Sequence, residues 1–398
     1  MPRPTLELAD IFRQHGPGYR DRHDLPLAHL KVMRAIESCR TAVLGGHVEQ
    51  CGHCAHQRIA YNSCRNRHCP KCQTLAKQQW LDQRKQELLP IAYFHVVFTV
   101  PALIADIALQ NKTALFQILF RASAKTLLTI AADPKHLGAT IGFFSILHTW
   151  GQNLLFHPHV HCVVTGGGLS QDDDWIACRP NFFLSVRVLS RLFRRLFLEA
   201  LEQAYDKGEL QFHGQLKDLC DPQSFARFLD PARNIEWVVY AKPPFGGPEQ
   251  VIDYLGRYTH RIAISNQRLL SFDNGQVTFQ YKDYRSTHPQ RSRQMTLEAD
   301  EFVRRFLLHV IPAGFQRIRH YGLLANRFRA ENLACCRQLL VGPRSELLPE
   351  PLQLEEVQTR IVESAARCPL CKVGFMVRVS EVLPIRWSSP PPLAPDTS

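Results

Sequence analysis

The chain has 398 residues, 45% hydrophobic and 21% charged, the make-up of an ordinary globular protein with room for two or three domains and a sizeable core. Its 48 Lys and Arg against 36 Asp and Glu leave a formal charge of +12, which points to a polyanionic partner without identifying one. No stretch reaches the roughly 18–20 uncharged apolar residues of a membrane span; the nearest, 91–109, is split by Pro101 and carries His95 and Asp106.

The opening MPRPTLELADIF lacks the charged-then-apolar layout of a secretion signal. Apolar spacing predicts helices over LELADIFRQH and LAHLKVMRAIESC, the second with Leu27, Leu30 and Ile36 on one face. A Cys/His-rich stretch without clear periodicity runs from His47 to Cys72, and residues 75–89 return to helix. IAYFHVVFTV (91–100) reads as a strand ending at Pro101, and residues 102–131 read as helix. IGFFSILHTW (141–150) and HVHCVVTG (159–166) read as adjacent strands, the second closed by Gly166-Gly167-Gly168. A basic amphipathic helix is expected over Ser185–Tyr205, where Arg191, Arg194 and Arg195 could hold phosphate bidentately. NIEWVVYAK (234–242) reads as a strand, PEQVIDYLGRYTH as a helix, and Asn274-Gly275 as the turn of a hairpin. Helices follow over 298–311 and 326–341, and the Pro/Ser-rich tail RWSSPPPLAPDTS reads as disordered. Strands interleaved with helices imply an α+β core on a mainly antiparallel sheet.

The thirteen cysteines are clustered and odd in number, which favours metal binding in a reducing cytosol over disulfides. Cys51 and Cys54 form one C-x2-C knuckle and Cys69 and Cys72 a second, fourteen residues on, the spacing of a four-cysteine structural zinc site. Gly52 and Pro70 suit the tight turns, and His47, His53, Cys64 and His68 are surplus ligand candidates. Cys368 and Cys371 make a third knuckle with no obvious partner; the adjacent Cys335 and Cys336 point about 100° apart on a helix and rarely share an ion. Free thiols are the expectation there.

His159-Val160-His161 sits on a strand whose period of two puts both imidazoles on one face, where they can hold a divalent metal. His157 is a weaker candidate beside Pro158. A third ligand is expected from His148 on the preceding strand, with Gln152 as the other choice. Tyr254 and Tyr258, four apart on a helix, share one side, and Arg257, His260 and Arg261 flank the second phenol and can lower its pKa. A metal pair with a tyrosine pair suggests phosphodiester chemistry with tyrosine as nucleophile. Paired tyrosines are also common as a packed aromatic stripe. Asp172-Asp173-Asp174 reads as a solvated loop, and the triple glycine lacks the Lys-Ser/Thr of a phosphate-binding loop.

Together, CGHC…NSCRNRHCPKC, LHTWGQNLLFHPHVHCVVTGGGLS and YLGRYTHRIAIS, in that order, resemble the rolling-circle transposases of the insertion-sequence-91 family, the two-tyrosine HUH transposases, over about residues 10–325. The resemblance implies a small helical zinc-binding domain (1–90), an HUH catalytic domain (91–325) with a central antiparallel sheet flanked by helices, and a C-terminal helical extension (326–398). It implies a metal-dependent single-strand endonuclease and strand transferase. His159 and His161 would bind Mg2+ or Mn2+, and Tyr254 and Tyr258 would form a 5′-phosphotyrosine link. DNA, as single-stranded or hairpin element ends and target, is the implied partner, with host replication or helicase factors because no helicase-type nucleotide site is present. The implied setting is the bacterial cytoplasm, at the nucleoid when bound to DNA. A rolling-circle replication initiator with the same chemistry, and a zinc-dependent DNA-binding regulator that no longer cuts, are the competing readings.

Overall fold

The computed structural model describes residues 6–72, 80–85, 87–242, 263–283, 292–341 and 367–385, together with Gln250 and Gly256. Tyr254, Tyr258, Arg257, His260, Arg261, residues 75–79 and 86 of the expected 75–89 helix (80–85 are helical) and the tail from Arg386 lie outside the described residues. The rest form an α+β molecule. The first helices are α1 (Leu8–Arg22) and α2 (Leu27–Ser38), and the buried face of α2 is Val32, Met33 and Ile36. Leu27, expected on that face, is exposed. The stretch without clear periodicity contains two paired strands, β1 (Gly46–Cys51) and β2 (Gln57–Tyr61).

The main sheet is built from β3 (Tyr93–Thr99), β4 (Thr140–Trp150), β5 (Phe156–Leu169), β7 (Val239–Lys242) and β11 (Ile318–Gly322), in the order β11-β4-β5-β3-β7. All four pairings are antiparallel, and the short β6 (Trp175–Ala177) adds to the end of β5. Phe94, Val96 and Phe98 of β3 and Val160, Cys162 and Val164 of β5 share the large core with helices α3 (Ala102–Gln110), α4 (Lys112–Ala132) and α5 (Val186–Asp206). The expected single helix over 102–131 breaks at Asn111, whose amide bonds the carbonyls of Ile107 and Gln211 and accepts from the Gln211 amide. α4 is apolar enough by composition to cross a membrane, yet it is mostly buried in this core.

The triple glycine does not close β5; it lies inside it. A Cβ on Gly166 would sit 2.6 Å from the Ala92 carbonyl oxygen, and one on Gly167 would sit 2.6 Å from that of Ile176, so neighbouring backbones crowd the strand on both sides. Asp172, Asp173 and Asp174 form the exposed turn between β5 and β6.

The expected strand over 234–242 is shorter. Its first residue, Asn234, finishes α6 (Pro222–Asn234), and Trp237 turns inward against Phe193 and Phe197 with its indole donating to the Ala232 carbonyl. α6 carries a readable start signal, Asp221 accepting from the Ser224 amide ahead of Pro222. The Asn274-Gly275 hairpin between β8 (Leu269–Asp273) and β9 (Gln276–Lys282), which pairs in turn with β10 (Ser292–Glu298), has φ of 50° and 75° at its two turn residues, the type I′ geometry. Since nothing lies within 4 Å of a Cβ added at Gly275, Gly275→Ala is expected to cost only backbone strain, about 1–2 kcal/mol. Urea unfolding would read this, and an unchanged midpoint would contradict it.

The N-terminal helices pack onto the rest of the chain. Phe12 meets Phe306 of α7 (Ala299–Leu308) edge-on at 5.4 Å, and Arg22 pairs with Asp300 at 2.8 Å. The other face of the sheet carries a smaller core of Tyr93, Phe144, Ile146 and Val163, covered by Leu333 and Cys336 of α8 (Arg329–Val341) and by Trp80, which meets Phe144 edge-on. The C-terminal residues return to the N-terminal unit: β12 (Met376–Val382) pairs antiparallel with β1, so the order there is β12-β1-β2.

Candidate active site and metal centres

Alternation along β5 turns His159 and His161 to the face away from α4 and α5. In the antiparallel register His148 of β4 stands directly across from His159, and Ile146 across from His161. The nitrogens of the three buried histidines lie within 4.8 Å of one another. Ring centroids are 4.3 Å apart for His148 and His161, and 4.8 Å for His159 and His161. His148 also stacks on Trp150 at 4.6 Å.

Hydrogen bonds orient two of these rings. Nδ1 of His159 lies 2.6 Å from the His157 carbonyl oxygen, so it carries the proton and leaves Nε2 its lone pair. Nδ1 of His161 lies 2.8 Å from Nε2 of His95 on β3, and the rings stack 5.0 Å apart, nearly parallel. If His95 accepts, Nε2 of His161 is likewise free. Burial pushes His159 down to about 3 and His95 to about 4, and holds His161 well below its ordinary value. Neutral imidazole is the ligand form. Three such rings, with no carboxylate in the cluster among the described residues, fit a divalent transition-metal ion.

His157 is exposed and contributes its carbonyl. Gln152 faces elsewhere: its side chain accepts from the Lys282 amide, and Arg268 donates to its carbonyl. Gly256, between the two tyrosines in sequence, packs against Leu81, next to the Trp80 that covers Phe144 on the histidine face.

His95 carried no recognisable signal, since a lone histidine on an apolar strand is usually a satisfied core residue. Its bond to His161 fixes the tautomer and tilt of that ring. His95→Ala is expected to weaken Mn2+ binding about 10–100-fold, with a smaller loss for His95→Gln, whose amide oxygen can still accept. Isothermal titration with Mn2+ checks this; equal affinities for wild type and both variants would remove His95 from the site.

The cysteines do not group as their spacing predicts. Cys51 and Cys54 do not join Cys69 and Cys72. Cys69 and Cys72 converge with Cys64 and with Cys39 at the end of α2, while Cys51 and Cys54 meet Cys368 and Cys371. In the first cluster the Cys72 Sγ lies 3.5 Å from both Cys39 and Cys64. In the second, Cys51–Cys371 and Cys54–Cys368 are each 3.7 Å apart. Sulfurs on a tetrahedron with Zn–S near 2.3 Å lie about 3.8 Å apart, so both clusters fit that ion. The reason for the regrouping is β1, which carries Cys51 into a sheet with β2 and β12, while Cys69 is buried in the main core. His68 is not a ligand here; its Nδ1 donates to Asn66 and its Nε2 accepts the Ile311 amide, tying this unit to the segment after α7. His47 pairs with Glu49, and Cys335 and Cys336 sit in or beside the smaller core.

The basic helix α5 lies on the opposite side of the sheet from the histidines. Arg191 and Arg195 are exposed there, but Arg194 donates to the Ile235 carbonyl and Arg195 pairs with Glu199 at 3.6 Å, which reduces the charge free for phosphate.

A family model described as "Transposase zinc-binding domain" matches residues 11–100, and one described as "Putative transposase" matches residues 142–332. "Putative transposase y4qJ" of Sinorhizobium fredii (strain NBRC 101917 / NGR234) is 59% identical over 385 residues, covering 95% of this chain and 96% of that protein. The chain belongs to the insertion-sequence-91 family of transposases. "Transposase for insertion sequence element IS801" of Pseudomonas savastanoi pv. phaseolicola is 29% identical over 378 residues, covering 91% of this chain and 89% of that one. Among solved structures, the conjugative relaxase TrwC in complex with oriT DNA, metal-bound, aligns over 62% of this chain and 72% of its own at 14% identity, with a TM-score of 0.24. In this transposase the first thiol cluster lies wholly within the zinc-binding match, whereas Cys368 and Cys371 lie beyond both matched segments.

Proposed function

We propose that this transposase cuts and rejoins single DNA strands through a covalent 5′-phosphotyrosine, driving rolling-circle transposition of an insertion sequence in the bacterial cytoplasm. The observation that carries the reading is the convergence of His148, His159 and His161 on the central strands of the sheet. These three residues would hold a divalent ion, which would polarise the scissile phosphate and offset its developing charge. Three imidazoles, with no carboxylate among the described residues of the cluster, favour Mn2+ over Mg2+, because hard Mg2+ prefers oxygen donors.

Tyr254 and Tyr258 act as nucleophiles. The phenol oxygen of one attacks phosphorus, its proton passes to a nearby base, and the 3′-oxygen leaves and is protonated. The new ester retains the bond energy, so a later 3′-hydroxyl reseals the strand without ATP. Arg257, His260 and Arg261 flank Tyr258 and favour its ionised form. Two tyrosines allow two strand ends to be held in succession. His95 and the His157 carbonyl keep the ligand rings oriented between steps. The zinc unit and exposed arginines bind DNA through phosphates.

The test is a single-stranded oligonucleotide spanning an element end, labelled on the 3′ side of the cleavage site and incubated with Mn2+. A labelled protein adduct that survives denaturation is expected for wild type and absent for Tyr254→Phe/Tyr258→Phe. Release of the labelled fragment with a free 5′-phosphate, or an undiminished adduct in the double variant, would sink the tyrosine reading.

A further inference from the structure

We propose that Cys51, Cys54, Cys368 and Cys371 form a second zinc site, which clasps the C-terminal strand onto the N-terminal unit. The two knuckles are built alike. In each, the residue after the second cysteine is left-handed, Ala55 at φ 57° and Lys372 at φ 59°. In each, backbone amides point at a sulfur: His53 and Cys54 donate to Cys51 Sγ at 3.4 and 3.5 Å, and Gly374 to Cys371 Sγ at 3.4 Å. Such N–H···S bonds stabilise thiolate. Gly374 is where the knuckles touch, since a Cβ there would lie 2.6 Å from Cys51 Sγ.

The lobe has little else to hold it. Its buried apolar cluster is Cys51, Cys368 and Met376 with Cys371 against them, while Leu370, Val373, Phe375, Val377 and Val379 are exposed. So small a core does not order a segment without a staple. β12 pairs with β1 from Gly46↔Val382 to Cys51↔Met376, so the four sulfurs sit where the ladder ends. Four thiolates at tetrahedral spacing take Zn2+ in a closed, structural site. The consequence is that a site half-built by residues 51 and 54 is completed from the far end of the chain, and losing residues 368–398 empties it.

Co2+ is the probe, because thiolate-to-cobalt charge transfer reports sulfur ligation and an all-histidine site does not produce it. Full-length protein, stripped of metal under reducing conditions and titrated with Co2+, is expected to saturate this band at two equivalents. Cys368→Ser/Cys371→Ser should saturate at one with about half the amplitude. Cys371→His, which keeps a ligand, should retain two equivalents with a smaller band. Saturation of the wild type at one equivalent overturns the proposal even if a variant is insoluble. So does an undiminished band in the C-terminal double variant, or a non-reducing thiol count showing these cysteines oxidised to disulfide.

Discussion

His159→Ala/His161→Ala is expected to lower Mn2+-dependent strand cutting by on the order of 10²–10⁴-fold, equivalent to roughly 3–5 kcal/mol of transition-state stabilisation. Both rings lie on the central strand, and both are neutral, with Nδ1 of His159 bonded to a carbonyl and Nδ1 of His161 to His95. Removing them leaves His148 alone, too few ligands for an ion that must also keep open positions. His148→Ala, which leaves two, should lose less activity and be partly rescued by higher Mn2+. Cutting of the labelled oligonucleotide, with Mn2+ affinity measured alongside, reads all three variants. Thiolate-bound metal should be unchanged throughout, because the thiol clusters share no ligand with the histidine site. Cutting by the double alanine variant at the wild-type rate and metal dependence would show that the histidines do not hold the catalytic ion.

The largest expected effect on stability is at the first thiol cluster. Cys69→Ser/Cys72→Ser should unfold the N-terminal unit, because Cys69 and Cys39 are buried within the main core beside α1 and α2. Structural zinc in a four-thiolate site contributes roughly 10–16 kcal/mol of binding free energy, which becomes folding free energy. A domain's whole net stability is about 5–15 kcal/mol. The loss should spread through His68 to Ile311 and through Phe12 to Phe306. Thermal unfolding with zinc content measured in parallel should show a large fall in Tm. Cys368→Ser/Cys371→Ser should produce a much smaller fall, since its lobe shares little buried surface with the core. A Cys69→Ser/Cys72→Ser protein that has lost one zinc yet keeps its wild-type Tm would contradict this.

Much of the candidate site was legible because strand alternation and short spacings are local. The His159–Val160–His161 pattern requires two imidazoles on one face of any strand, and Asn274-Gly275 requires a type I′ turn whatever surrounds it. The Asp221-Pro222 helix start is an equally local signal. His148 could be named because β4 and β5 are neighbours with a short connection, and the observed register puts it across from His159. The tyrosines were legible as a spacing.

What depends on distant partners was not legible. Cys39 is a single cysteine at a helix end, and His95 a single histidine in an apolar strand; each acquires its meaning from residues 25 or more positions away. The cysteine spacings pointed to one site because they count residues between knuckles and ignore the strands that carry them. β1 takes Cys51 to the edge where β12 pairs, and the core takes Cys69 the other way. Sequence alone thus determined the chemistry: imidazoles paired on a strand, thiols in knuckles, a basic surface and membership of a transposase family. Only the tertiary structure decided which thiols converge and which histidine bonds the paired imidazoles. Those choices are made by sheet order and by burial, which bring together groups as far apart as Cys51 and Cys371.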